Sequence, residues 1–98
     1  MKVEISDRKL RESVGDLKKL TTIYGSGNAR MIIQRINELE SIPNLGLMVT
    51  HRIGRCHRLK GDFTGKYALD LELPKRLIIK PKSQNHGRKS LTVEFEIQ

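Results

Sequence analysis

One histidine and four cations lie close together in the middle of this 98-residue chain, in the stretch GRCHRLKGDFTGKYALDL that runs from Gly54 to Leu71. Histidine is the side chain whose ordinary pKa lies nearest neutrality, so His57 is the best candidate to carry a proton. Lys60 and Arg58, together with Arg76 further along the chain, could hold a phosphate. RNA cleavage needs few further parts, because the ribose 2′-OH is itself the nucleophile.

The same residues also fit a role without catalysis. His57 lies two residues before Leu59 and would share its face of a strand, as a half-buried histidine often does. Lys60 lies three residues after His57, so on a flat strand the two side chains would point to opposite faces. From composition and spacing alone we therefore favour a binding or structural role over catalysis.

Other kinds of site are disfavoured. The histidines at 51, 57 and 86 are too scattered to predict a metal site, and nothing in the sequence indicates a cofactor. Cys56 has cationic neighbours that would favour its thiolate, but no Cys–His–acid pattern accompanies it. The segment GDFTGK lacks the spacing of a phosphate-binding loop, so we do not predict a nucleotide site.

The charge balance points to a polyanionic partner. Nineteen Lys and Arg stand against eleven Asp and Glu, a net charge of +8. Two stretches, 52–60 and 75–82, contain cations and no acid. Such stretches are typical of surfaces that bind nucleic acid or an acidic protein. We expect Arg55, Arg58, Lys66 and Lys80 to contact such a partner, either a nucleic acid such as RNA or an acidic protein surface.

Helical periodicity comes first along the chain. Ser6 or Asp7 can cap a helix that runs through Leu10, Val14 and Leu17 to Leu20 or Thr21, which Gly15 weakens without breaking. Asn28 is a plausible cap for a second helix, which carries an apolar stripe from Ala29 to Leu39 or Glu40 and stops before Pro43.

Strand-like alternation follows the helices. It appears at Tyr67–Leu73, Leu77–Lys80 and Leu91–Ile97, with a short strand also expected at Lys2–Ile5 and a polar turn at 82–90. These patterns predict an α+β fold in which a two-helix N-terminal hairpin packs on one face of a small antiparallel sheet. We expect one domain over residues 1–98. The predicted core is Leu10, Val14, Leu17, Ile32, Ile36, Leu39, Leu69, Leu71, Leu77, Ile79, Val93 and Phe95.

The motif from Gly54 to Leu71, followed by PKRLIIKP up to Pro81, resembles the HigB or "killer protein" branch of the RelE/ParE toxin superfamily. The order of helical hairpin and antiparallel strands is similar as well. The resemblance implies a RelE-like fold and a type II toxin that cleaves messenger RNA in the ribosome. It also implies a cognate helix-turn-helix antitoxin. Independently of the resemblance, the single cysteine and the absence of any apolar run long enough for a membrane lead us to expect a cytoplasmic location.

Site residues follow from the same resemblance. The His and Lys of the HxLKGD pattern correspond to His57 and Lys60, and the Arg after the proline corresponds to Arg76; in relatives these are linked to activity or phosphate contact. The resemblance thus favours catalysis where the residues alone did not.

The chain departs from its relatives at the last strand. It ends VEFEIQ, where relatives carry an Asp-Tyr-His type of ending that also serves the active site. We therefore expect the 98-residue chain to cleave more slowly than a version extended by Asp-Tyr-His. Two alternatives stay open: a ParE-like inhibitor of DNA gyrase, or a non-catalytic protein that binds RNA or an antitoxin.

Overall fold

Helices precede strands in the computed structural model, which describes residues 2–72, 75–82 and 92–97. The helices in these ranges are α1 (Arg8–Ser13), α2 (Leu17–Tyr24), α3 (Ser26–Ser41) and α4 (Leu45–Thr50). The strands are β1 (His57–Arg58), β2 (Tyr67–Asp70), β3 (Arg76–Lys82) and β4 (Thr92–Ile97). They form an antiparallel sheet in the order β1-β2-β3-β4. The predicted α+β class is confirmed.

The core lies between the helices and one face of the sheet. Leu69, Leu77 and Ile79 alternate along β2 and β3 and are fully buried against the helical residues. From α3, Ile32 and Leu39 supply the opposing apolar surface. Burying side chains of this size is the main favourable contribution to folding, at about 1.5–3 kcal/mol each.

The first predicted helix is in fact two helices. Asp16 accepts hydrogen bonds from the backbone N–H groups of Lys18 and Lys19 and so caps α2. Gly15 therefore marks a break, and the prediction of a weakened but continuous helix was wrong. The break also changes which side chains face the core: Leu17, predicted to be buried, is 52% exposed at the start of α2, and Val14 is only half-buried.

The second predicted helix begins earlier than expected. It starts at Ser26, directly after Gly25, which adopts a positive φ of 87°. Asn28 was expected to cap this helix, but it lies buried in the first turn. Its side-chain oxygen instead accepts a hydrogen bond from the backbone N–H of Glu72, at 2.8 Å. Asn28 therefore ties α3 to the end of β2.

Other predictions differ in detail. The strand expected at Lys2–Ile5 is a single bridge residue at Val3, because the chain enters α1 within a few residues and the Ile5 carbonyl oxygen accepts a hydrogen bond from the Arg11 guanidinium. The sequence patterns also missed α4 and β1, which are too short for a period to be recognised.

Most of the predicted core is confirmed. The residues found buried as expected are Leu10, Ile32, Ile36, Leu39, Leu69, Leu71, Leu77 and Ile79. The side chains of Val93 and Phe95 lie outside the described part of the chain, as do residues 83–90 of the turn predicted at 82–90, whereas position 82 is the last residue of β3. Across the described ranges, the helices are too short or too polar for any of them to cross a membrane.

Candidate functional site

The conspicuous motif of the sequence forms a β-hairpin. A 3-10 turn at Ile53–Arg55 leads into β1, and a second 3-10 turn at Gly61–Phe63 connects β1 to β2. His57 pairs with Ala68 and Arg58 with Tyr67, and the Leu59 N–H donates to the Lys66 carbonyl at 3.0 Å. The hairpin fixes His57 at the edge of the sheet.

Alternation along the strands separates the polar residues into two sets. We call the sheet face away from the helices the outer face; by register it carries His57, Ala68, Asp70, Arg76, Ile78 and Lys80. Arg76 and Lys80 lie two residues on either side of Ile78, two strands from His57. Ordinary strand spacing puts the Cα atoms of both cations about 12 Å from that of His57. Ala68 and Ile78, which lie between them on this face, are buried, so a ligand shared by His57 and the two cations would contact the ends of their side chains.

The ring of His57 is held in one tautomer. Its Nδ1 lies 2.8 Å from the carbonyl oxygen of Arg55. A carbonyl oxygen only accepts, so Nδ1 carries the hydrogen and donates it. In the neutral ring, Nε2 is then the nitrogen with a lone pair, and the side chain is exposed. His57 therefore presents a proton acceptor to solvent and to any ligand on the outer face.

The carbonyl that orients His57 belongs to an unusual piece of backbone. Arg52, Gly54 and Arg55 all have positive φ angles, of 53°, 61° and 54°. Glycine adopts this left-handed conformation freely, but for a residue such as arginine it costs about 1–2 kcal/mol. Left-handed residues that persist at this cost cluster at functional sites.

The buried side chain of Arg35 packs against this segment at Gly54. Only 9% exposed, it donates from Nε to the carbonyl oxygen of Asp70 at 2.9 Å and pairs through Nη1 with Glu38 at 2.8 Å. A Cβ built on Gly54 would lie 2.8 Å from Arg35 Nε, so the guanidinium fills the space that Gly54 leaves. Nη1 of the Arg55 guanidinium lies 3.4 Å from Oδ2 of Asp70. The end of β2 and the turn before β1 are thus joined through two arginines.

The predicted site residues are only partly brought together. His57, Arg76 and Lys80 share the outer face, but Arg58 pairs with Tyr67 on the helix-facing side, where its guanidinium lies 6.0 Å from the ring centroid. Lys60 lies beyond β1, extended and exposed, immediately before the second 3-10 turn. Lys66 lies immediately before β2, with its ammonium 5.7 Å from the ring centroid of Phe63.

A cavity of about 520 Å³ adjoins His57, lined by Val49, Arg52, Arg55 and Cys56 as well as His57 itself. Cys56 belongs to the buried core, and this burial raises the pKa of its thiol to about 11. The expectation that cationic neighbours would favour the thiolate is therefore wrong, because desolvation outweighs them. Cys56 forms part of the cavity wall as a neutral, apolar group.

The sequence patterns missed Asn28 and Arg35, which position the site without belonging to it. Arg35 left one usable signal: it follows Ile32 by three residues and so places a cation within the apolar stripe of α3. His51 is exposed at the end of α4, and His86 lies outside the described residues. Among the described residues, no three His, Cys, Asp or Glu side chains are grouped as metal ligands would be.

Comparison with known proteins gives a structural relative. No protein-family model matches the chain, and no curated protein matches it. Among solved structures, a YoeB/ParE toxin from Agrobacterium tumefaciens is similar, with a TM-score of 0.52 and 18% sequence identity. The match covers 98% of this chain and 93% of the toxin chain. The chain therefore has the fold of a YoeB/ParE toxin over nearly its whole length.

Proposed function

We propose that this chain is the toxin of a type II toxin–antitoxin system, close to the HigB branch, and that it cleaves messenger RNA on the ribosome. The observation that carries the proposal is the geometry of His57. Its Nδ1–H is engaged by the Arg55 carbonyl, which leaves Nε2 exposed as a base on a face that also carries Arg76 and Lys80.

The chemistry proceeds from the ribose. His57 Nε2 accepts the proton of a 2′-OH while the 2′-oxygen attacks the adjacent phosphorus, so that a 2′,3′-cyclic phosphate forms and the P–O5′ bond breaks. The departing 5′-oxygen takes a proton from water, and the hydroxide that remains takes the proton carried by His57. Negative charge grows on the phosphoryl oxygens during this step. Arg76, with Lys60 and Lys80, stabilises that charge, while Arg55, Arg58 and Lys66 bind the flanking RNA backbone. A toxin of this kind is controlled by a cognate antitoxin, for which we propose a helix-turn-helix protein.

The test is primer extension on a message translated in vitro, with and without the protein. Wild-type protein should produce new 3′ ends within the translated region, and His57→Ala should reduce their rate of appearance about 100- to 10,000-fold, as expected for loss of a general base. His51→Ala is the matched control, because it removes an exposed histidine outside the site. Absence of cleavage by wild-type protein, or equal cleavage by His57→Ala, would contradict the proposal.

A further inference from the structure

The aromatic ring of Phe63, at the tip of the β1–β2 hairpin, is exposed and does not belong to the core. Phe63 is 37% exposed, and with Leu17 it is one of two large apolar side chains exposed in the part of the chain that the structure describes. The chain has only four aromatic residues (two Phe, two Tyr and no Trp). Packing in the core therefore does not account for one of the four aromatic residues, the one at the loop tip.

The loop that carries Phe63 is held by its own hydrogen bonds. Phe63 N–H donates to the Lys60 carbonyl at 3.3 Å, and Lys66 N–H donates to the Phe63 carbonyl at 3.0 Å. Thr64 closes the turn from both its backbone N–H and its hydroxyl, which donate to the Gly61 carbonyl at 3.1 and 2.6 Å. A ring on a pre-ordered loop loses little conformational entropy when it binds a ligand.

The surroundings of the ring are cationic. Between Arg58 and Lys66 the hairpin carries three cations and a single acid, Asp62. The Lys66 ammonium lies 5.7 Å from the Phe63 ring centroid. Beside the loop, a groove of about 340 Å³ has Arg58, Thr64 and Lys66 in its lining. An exposed ring with phosphate-binding cations around it is the combination with which proteins bind unpaired nucleotides.

We propose that Phe63 is a base-stacking residue: it receives the face of an unpaired RNA base, while Lys60 and Lys66 contact the phosphates on either side. The inference rests on the proposed function for the identity of the ligand as RNA. It adds a second contact point, at the hairpin tip, to the phosphate contacts of the outer face. Because every base has a π-face, this contact contributes affinity with little dependence on base identity.

Fluorescence can test the stacking directly, because the chain contains no tryptophan. Phe63→Trp creates a single tryptophan at the tip, and Leu17→Trp creates one at the other apolar position that is exposed among the described residues. Titration with single-stranded oligo(A) RNA should quench the emission of Phe63→Trp and leave that of Leu17→Trp unchanged. Equal behaviour of the two variants would overturn the inference.

Affinity supplies the second measurement. Phe63→Ala should bind the same RNA about 5- to 140-fold more weakly than wild type, whereas Phe63→Tyr should bind within about twofold, because the ring is retained. Phe63→Leu, apolar but without a π-face, should resemble Phe63→Ala. If Phe63→Leu binds as wild type does, the contact is only hydrophobic and stacking is refuted.

The outcomes separate this inference from the proposed function. Binding that depends on the ring, without any cleavage in the primer-extension assay, supports base stacking and refutes the nuclease. Cleavage by wild type with unchanged RNA affinity in Phe63→Ala refutes base stacking and leaves the nuclease intact. Failure of wild-type protein to bind the single-stranded RNA refutes base stacking, whereas the nuclease is refuted only by absence of cleavage in the primer-extension assay.

Discussion

Gly54 is the residue at which backbone conformation and side-chain packing meet. Its φ of 61° is unfavourable for any residue with a Cβ, and the space beside it is filled by Arg35. Gly61 offers a comparison at nearly the same φ, 67°, with no atom within 4 Å of an added Cβ. An alanine at Gly61 would therefore introduce conformational strain alone, whereas an alanine at Gly54 would introduce the same strain and a steric conflict with Arg35.

We expect Gly54→Ala to destabilise the protein by about 2–4 kcal/mol and Gly61→Ala by only about 1–2 kcal/mol, since the second substitution adds strain alone. Denaturant unfolding of the two variants against wild type measures the difference. Equal losses would mean that Arg35 moves aside at no cost and does not hold the turn.

At the scale of elements, the contacts between α3 and the end of β2 position the site. Asn28 binds the N–H of Glu72, and Arg35 binds the carbonyl of Asp70. Both contacts lie on the buried side of α3, and both join residues more than thirty positions apart. They hold the end of β2 against α3, and an exposed Arg55 side chain connects Asp70 to the turn that precedes His57.

Arg35→Met should cost about 1–3 kcal/mol of unfolding free energy, because it leaves a part-buried carbonyl of Asp70 without its donor. Arg8→Met is the matched control: it removes an arginine from an exposed pair with Glu12 and should change stability by no more than about 0.5 kcal/mol. Thermal or urea melts give both values. A loss for Arg35→Met as small as that of the control would show that the α3–β2 connection is dispensable.

These element contacts also explain what could be predicted from the sequence. Periodicity identified α3, β2 and β3 and most of their core residues, because each presents a regular apolar face. Periodicity does not reveal which polar side chain will accept a distant backbone hydrogen, as Asn28 does. The break between α1 and α2 was missed for a related reason: Asp16 caps α2 with a side chain, and no apolar pattern records that interaction.

For the site, the residue types were identified but not their arrangement. The motif drew attention to His57 and its cations, and the register then divided them, with Arg58 on the face opposite to His57. The left-handed backbone at Arg52 and Arg55 had no sequence signal, since arginine is an uncommon residue there. In the structure, Arg35 packs against Gly54 and Asp70 pairs with Arg55, contacts between distant residues that the sequence does not reveal.

At the scale of the whole molecule, stability and ionisation are linked through Cys56. Burial raises the pKa of its thiol from 9.0 to about 11. The folded protein therefore holds this proton more tightly than the unfolded chain does. The resulting contribution to stability is complete below pH 9 and is lost as the pH rises towards 11.

We expect the melting temperature to fall between pH 9 and pH 11, and to fall less steeply in Cys56→Ala, which has no thiol to ionise. Tyr24 contributes to the same decline, because burial and the nearby charge of Asp7 raise the pKa of its phenol. The Tyr24→Phe variant therefore serves as the companion measurement. An identical pH dependence in wild type and Cys56→Ala would contradict the assignment of a buried, neutral thiol.

The partner of His57 is a peptide carbonyl, and this has a consequence for genetics. No amino-acid exchange at position 55 can delete that oxygen, so alanine scanning of Arg55 measures the loss of its guanidinium while the orientation of the imidazole goes unnoticed. Even Arg55→Gly would keep the acceptor and relax the backbone. Chemical synthesis with an ester in place of the amide after Arg55 would weaken the acceptor and leave every side chain as it is. The group that orients the His57 imidazole therefore belongs to the backbone, and substitution of the Arg55 side chain does not remove it.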